Sequence, residues 1–261
     1  MRKIVIITIC QDQLKLEGKC VTSLLQCTKL LNKEEVEVVH VFLEKGNYLQ
    51  FNLNNAINKL LEEKEITDFV FLDSDIVFNP TNLKDMIIKY EDKRVMSGSY
   101  KTPVFQQVPE LSIEFDIDAY ETMEGEPNLI KVNSLSPGFF KVNRKVLEEN
   151  NSVFDKIFLS NKTEDGKTVD TEQPFYFTNP KVGDPDYFKG SFYQFFQTIK
   201  KAGEDLWCHL DFDAGKIDGN FIHHYALRQY IKMKEHLKNK EKEVKEEPQE
   251  QVENGKEVLK N

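Results

Sequence analysis

The sequence predicts an α/β fold built on a mostly parallel sheet with helices on both faces. Three observations carry this. Apolar runs of strand length alternate with segments of helical period through the first hundred residues, in the order β-α-β-α-β-α-β. The first run, Lys3 to Ile9, is apolar beyond its first residue except for Thr8, as expected of a strand covered on both sides. The third run, Phe69-Val70-Phe71-Leu72, stops at Asp73-Ser74-Asp75, and apolar residues resume at once with Ile76-Val77-Phe78. In open α/β sheets ligands gather beyond the carboxyl ends of the strands, which is where this Asp-x-Asp falls.

The elements follow in order. After the strand Lys3–Ile9, Gly18–Leu31 has helical spacing, with Val21, Leu24, Leu25, Thr28 and Leu31 on one side. Val36–Leu43 is a second strand. Asn52–Glu63 is a second helix, with Leu53, Ala56, Ile57, Leu60 and Leu61 along its apolar stripe. Phe69–Leu72 is the third strand, Asn82–Tyr90 a helix introduced by Asn79-Pro80, and Val95–Tyr100 the fourth strand. Beyond residue 100 the pattern is less regular. Ile113–Phe115, Leu129–Asn133 and Phe139–Val142 have strand character, and Arg144–Glu149 is a short helix. Residues 159–187 are expected to form a long polar loop, punctuated by Gly166, Pro174, Pro180, Gly183 and Pro185. Ser191–Ala202 is an amphipathic helix closed by Gly203, and Leu206–Phe212 a final strand. The expected organisation is one domain over 1–233, with a nucleotide-binding half at 1–100 and an acceptor-side half at 101–233. From residue 234 to 261 Lys and Glu dominate, as in a frayed, disordered tail.

Composition narrows the function. The 261 residues hold 39% hydrophobic residues, 19 of them Phe, enough for a substantial core. A net charge of −9, without a basic stripe, argues against nucleic acid as a partner. Cys10, Cys20, Cys27 and Cys208 lack metal-site spacing and the pattern of a secreted disulfide framework, so reduced thiols in a cytoplasmic setting are expected. The N-terminal apolar run is too short for a signal peptide, and no segment has the length of a membrane span.

Two carboxylates at the end of a buried strand are expensive to desolvate unless a cation meets them. Carboxylate oxygens are the preferred ligands of Mg²⁺ and Mn²⁺, which commonly bind substrate phosphates as well. An isolated Asp-x-Asp is equally explained as a solvated turn whose Asp73 or Asp75 caps the helix after Pro80, so context has to choose.

The order of several segments supplies that context. Asp73-Ser74-Asp75 after a third strand, followed by Asn79-Pro80 and a helix, resembles the GT-A glycosyltransferases, near the family 2 type of bacteria, phages and large viruses. Asn54-Asn55-Ala56 resembles that family's Arg-Asn segment near the nucleotide, with Asn54 at the Arg position. Ser97-Gly98-Ser99-Tyr100-Lys101 resembles its Gly-x-Tyr segment, and Gly138-Phe139-Phe140 its Gly-Phe floor under donor sugar and acceptor. The resemblance covers about residues 3–225. It implies a GT-A, Rossmann-like fold and a transfer of sugar from a UDP- or GDP-sugar to a hydroxyl on a glycan or protein-linked glycan.

The same resemblance implies site residues. Asp75 would hold Mn²⁺ or Mg²⁺, with Asp73 on the ribose or on the metal through water. Thr8, Cys10 and Gln11 would cradle the base, and Asn55, Ser74 and Gly138 would line the donor. The family's general-base Glu-Asp pair aligns with Ser191-Phe192, so Asp186, and after it Asp184, are the available bases for an inverting transfer. The family's metal-binding Gly-His aligns with Gly215-Lys216. Lys216 would there pair with the diphosphate, and His223 is a candidate metal ligand. Two other functions fit parts of the sequence. Asp73-Ser74-Asp75-Ile76-Val77 matches the nucleophile loop of haloacid-dehalogenase-type phosphatases, although that loop normally ends the first strand. A glycan-binding module that has lost its base is the non-enzymatic alternative.

Overall fold

The structure, a computed structural model, describes residues 2–10, 16–46, 48–99, 122–123, 125–135, 137–162, 168–178, 190–218 and 221–223. The expected strand Ile113–Phe115, Gln11, Asp184, Asp186 and the tail 234–261 lie outside the described residues.

The first half follows the predicted alternation. It runs β1 (Arg2–Cys10), α1 (Gly18–Lys33), β2 (Val36–Glu44), α2 (Leu49–Leu60), β3 (Ile66–Asp73), β4 (Ile76–Phe78), α3 (Pro80–Ile88) and β5 (Val95–Ser99). The second half adds β6 (Thr122–Met123), β7 (Glu126–Val132), β8 (Phe139–Asn143), α4 (Arg144–Glu149), β9 (Asp155–Lys162), β10 (Thr168–Phe175), α5 (Gly190–Lys201), β11 (Leu206–Asp218) and β12 (Phe221–His223). Local chemistry sets several boundaries. Asn79 caps α3, its side chain accepting from Thr81 N–H at 3.0 Å, with Pro80 at the first helical position. Asn143 caps α4 in the same way, accepting from Lys145 N–H at 3.0 Å.

Three expectations are corrected. The stretch 159–187 is not a loop throughout, because β9 and β10 form an antiparallel hairpin, Asp155 opposite Phe175 through Lys162 opposite Thr168. Its charged and polar content hid the alternation. Helix α2 begins at Leu49, three residues before its predicted start, since Leu49 is itself buried. Finally, β11 continues well past Phe212 after a register shift between Cys208 and Asp213.

The main sheet has the order β2-β1-β3-β8-β5-β11-β7-β6, with β4 and β12 also paired to β11. Strands β2, β1 and β3 are parallel to one another, as are β5 and β11, and β8 lies antiparallel between β3 and β5. Both halves of the chain therefore share one sheet. Side chains of β1 and β3 alternate between its faces. Ile4, Ile6, Val70 and Leu72 pack with Cys20, Leu24, Cys27 and Leu31 of α1 and Leu83, Met86 and Ile87 of α3. The opposite face carries Phe71 and Phe140, stacked at 4.6 Å between centroids, against Phe192 and Phe196 of α5 and Phe177 after β10. Such pairs add about 0.5–1.5 kcal/mol each beyond their area. Much of the chain's Phe content is spent directly beneath the end of β3.

A buried lysine ties β8 into this frame. Lys141 is fully buried, and its Nζ donates to Met86 O and Tyr90 O, both at 2.7 Å, at the end of α3. A cation at a helix C-terminus is favoured by the helix dipole. Burial nevertheless lowers the ammonium to about 8, ahead of the opposing pull of Asp68. With the folded value below the unfolded one, this group's contribution to stability rises as pH climbs from about 8 to about 10.5. Cys20, Cys27 and Cys208, each pushed up to about 12 by burial, act oppositely above the ordinary thiol value. The Lys141 effect is therefore expected as a difference. From pH 8 to 10.5, wild type should gain on the order of 1–3 kcal/mol relative to Lys141→Met in urea unfolding. A constant difference across that range would reject the assignment.

Candidate active site

The turn Asp73-Ser74-Asp75 lies where β1, β3, β4 and β8 converge. Asp73 ends β3, and its N–H donates to Gly138 O at 2.9 Å, one residue before β8. Ser74 N–H donates to Ile9 O at 2.9 Å, near the end of β1, and Ser74 O accepts from Glu17 N–H at 3.3 Å, just before α1. Three separate segments thus hold the main chain of the turn. Ser74 is buried, whereas Asp73 and Asp75 are half-buried and keep access to solvent.

Strand β4 begins immediately after Asp75 and pairs antiparallel with the extension of β11, with Ile76 opposite Lys216, Val77 opposite Gly215 and Phe78 opposite Ala214. Strand β12 then places His223 opposite Lys216. Register alone thus brings the main chain of Lys216, far from the Asp-x-Asp in sequence, beside the residue that follows Asp75, and leaves His223 on the other side of β11, one strand further away. The extension of β11 is what makes this possible.

Electrostatics enlarge the cluster. The buried Cys20 thiol on α1 is raised to about 12, first by desolvation and then by Asp75, Cys10, Asp73 and Glu17 in turn. These groups share one neighbourhood. Glu17 is a carboxylate that sequence reasoning missed, since a Glu just ahead of a helix gives no signal of its own.

The other expected residues are placed as follows. Thr8 and Cys10 are fully buried and present no side-chain surface to a ligand. The end of β1 reaches the site through main chain instead, by Ile9 O to Ser74 and Cys10 O to Lys45 N–H at 2.7 Å. Thr8 Oγ1 is buried without a hydrogen-bond partner among the described residues. Asn55 is on the exposed side of α2. Its neighbour Asn54, at the position of the family's Arg, is fully buried. Its Oδ1 accepts from Phe177 N–H at 3.1 Å, and its Nδ2 donates to Gln50 O at 2.6 Å and Phe177 O at 3.5 Å. Asn58, one turn on, donates to Pro174 O at 3.0 Å. This pair anchors the end of the β9–β10 hairpin on α2. At the position of the family's base, Phe192 packs its ring against Phe71, Phe140 and Phe177 and so belongs to the core under β3.

A divalent cation fits the donor chemistry of the turn. Among the described residues no group of three or more His, Cys, Asp or Glu is arranged to hold a metal. The protein's share would be oxygen from Asp75 and Asp73, with phosphate and water completing the shell, which is the usual pattern for Mg²⁺. A hard, all-oxygen donor set suits Mg²⁺ or Mn²⁺.

No family model and no curated protein matches the sequence. Solved structures do match. A197 from STIV aligns with a TM-score of 0.50 at 18% identity, over 84% of this chain and 86% of its own. The fold is of the GT-A type. At that identity the likeness speaks for the fold. Similarity extends at lower TM-scores to a glycosyltransferase involved in glycosylation of the major capsid of PBCV-1, with a TM-score of 0.31 at 16% identity, over 57% of this chain and 64% of that one. It also extends to S. aureus TarS, with a TM-score of 0.39 at 15% identity, over 87% of this chain and 36% of TarS. Among the described residues no helix is long and apolar enough to cross a membrane.

Proposed function

We propose that this protein transfers a sugar from a nucleoside-diphosphate sugar to a hydroxyl of a glycan or protein-linked glycan. The observation that carries the proposal is the Asp73-Ser74-Asp75 turn, gripped by Ile9, Gly138 and Glu17 at the carboxyl end of β3 in a GT-A-type sheet. The phosphatase alternative is disfavoured, because the motif ends the third strand and an antiparallel β8 lies beside it.

In this proposal Asp75 and Asp73 would hold Mn²⁺ or Mg²⁺, whose positive charge would offset that of a departing diphosphate. The gripped main chain keeps the two carboxylates in place before the donor arrives, so little ordering remains to be paid at the chemical step. Lys216, next to Ile76 across the ladder, supplies a cation to the diphosphate. Lys216→Ala is expected to raise the donor KM and weaken nucleoside-diphosphate binding, measured by titration calorimetry. Unchanged affinity would make Lys216 an ordinary exposed lysine.

An inverting transfer also needs a carboxylate to take the acceptor hydroxyl's proton, and Asp186, with Asp184 second, is proposed for it. Asp186→Asn should lower kcat by about 10²–10⁴ with donor affinity nearly constant. Normal transfer by both single variants and the double variant would remove this mechanism and leave the donor site standing.

The deciding experiment is a thermal-shift screen of UDP- and GDP-sugars with and without Mn²⁺, followed by assay of nucleoside-diphosphate release with candidate acceptors. Metal-dependent stabilisation with release supports the transferase. Stabilisation by glycan alone, without turnover, indicates the binding module, and release of phosphate from monoesters indicates the phosphatase.

A further inference from the structure

Strand β2 ends the main sheet. All nine of its residues pair with β1 in unbroken register, Val36 with Arg2 through Glu44 with Cys10, and no other described strand pairs with it. The hydrogen bond from Lys45 N–H to Cys10 O sets the phase of this ladder. Odd-numbered residues direct their main-chain groups at β1, so Val36, Val38, His40, Phe42 and Glu44 direct theirs outward. Edge strands are normally defended by charged side chains, lysine above all, by proline or by a bulge. Val36–Glu44 has no lysine, proline or bulge, and its charged side chains are confined to Glu37 and Glu44 near its two ends. A large apolar side chain also stands exposed on this strand, Phe42 at 42%.

We propose that β2 forms a two-fold homodimer, pairing antiparallel with β2 of a second copy about an axis through His40. The strand's own pattern argues for a second copy as the occupant. Antiparallel pairing matches hydrogen-bonding residues only when outward residues face outward residues. Centring on His40 meets that condition and is the register in which all nine residues overlap. It sets Val36 opposite Glu44, Glu37 opposite Leu43, Val38 opposite Phe42, Val39 opposite Val41 and His40 opposite itself. No two like-charged carboxylates face each other, and Phe42 gains an apolar partner in Val38. Glu37 is further neutralised by Lys3 at 3.7 Å. The His40 imidazole, held below its usual value by burial, favours its neutral form at the axis. The outward N–H and C=O groups of Val36, Val38, His40 and Phe42 face those of the second copy, and the sheet runs continuously through both copies. None of this depends on the transferase reading.

The test is sedimentation velocity on the full chain across micromolar concentrations, paired with register-specific cross-linking. A monomer–dimer equilibrium is expected. Phe42→Pro, which removes an outward donor and leaves the β1 ladder intact, should weaken it by about tenfold or more while the dilute monomer's melting is little changed. With diamide as oxidant, His40→Cys should give a disulfide-linked dimer on a non-reducing gel, because a two-fold pair sits within disulfide reach. Val38→Cys alone should not, whereas Val38→Cys with Phe42→Cys should. The native cysteines are all buried and leave the background clean. A monomer at every concentration overturns the proposal, whether the edge is free or covered by the chain's own C-terminal segment. So does a dimer that neither Phe42→Pro nor His40→Cys affects.

Discussion

Asp75→Asn is expected to abolish sugar transfer while leaving the protein folded. The substitution keeps the size of the side chain and removes the charge that would hold the cation, so its cost falls on the transition state. Loss of several kcal/mol of charge stabilisation corresponds to a rate decrease of about 10³ or more. The fold should not suffer, because the turn is held by main-chain bonds from Ile9, Gly138 and Glu17 that do not involve the Asp75 carboxylate. Removing one of three neighbouring carboxylates, Asp73, Asp75 and Glu17, should leave the metal-free melting temperature unchanged or slightly raised. Mn²⁺-linked stabilisation should disappear along with activity. Asp73→Asn should show the same pattern less severely. Undiminished transfer by Asp75→Asn would sink the assignment of this turn as the diphosphate-metal site.

Gly98→Ala should be among the most destabilising single-methyl additions in the protein. A Cβ at position 98 would overlap the main-chain oxygen of Phe212 and meet two carbons of the Phe139 ring at 3.0 Å. Neither neighbour can retreat cheaply. Phe139 is stacked on Phe78 at 5.2 Å, and Phe212 is stacked on His209 at 3.9 Å and set edge-on to Tyr90. His209 is fixed in turn, its Nδ1 accepting from Asp211 N–H at 3.2 Å and its Nε2 lying 3.2 Å from the Tyr90 hydroxyl. Overpacking of this kind costs about 1–3 kcal/mol or more, and with rigid partners the upper end is expected. At about 2–4 °C per kcal/mol, the melting temperature should fall by roughly 10 °C. Gly46→Ala, where a Cβ meets nothing within 4 Å, is the control and should shift it little. The effect should also reach the site, since the crowded contact lies at the β11 irregularity that leads the chain to β4 and Lys216. Equal melting of the two variants would show that β11 can move away from β5.

The order of elements in the first half was legible because each element carries its own period. The helical period of α1 was legible but its face was not: Cys20, Leu24, Cys27 and Leu31 are buried, and the expected Leu25 is exposed. Ile4 to Ile9 is apolar but for Thr8, and Asn79-Pro80 announces α3. Asp73-Ser74-Asp75 was visible for the same reason, as polar residues interrupting a run that burial would otherwise keep apolar. What neighbours in sequence do not encode was not legible. The β9–β10 hairpin is polar enough to pass for a loop, and its end is anchored by Asn54 and Asn58 across more than a hundred residues.

The sequence by itself determined the α/β class and marked the β3 terminus as the candidate site. Only the tertiary structure decided which residues meet there. Inserting β8 antiparallel between β3 and β5 delivers Gly138 O to Asp73, and the extension of β11 beyond its register shift carries Lys216 to Ile76, with His223 across β11 from it. The same assembly buries Thr8 and Cys10, brings in Glu17 and sends Asn54 to the hairpin. The physical reason is range. Period and capping act within a turn or two of the chain, whereas strand order and register are set by the joint packing of both sheet faces.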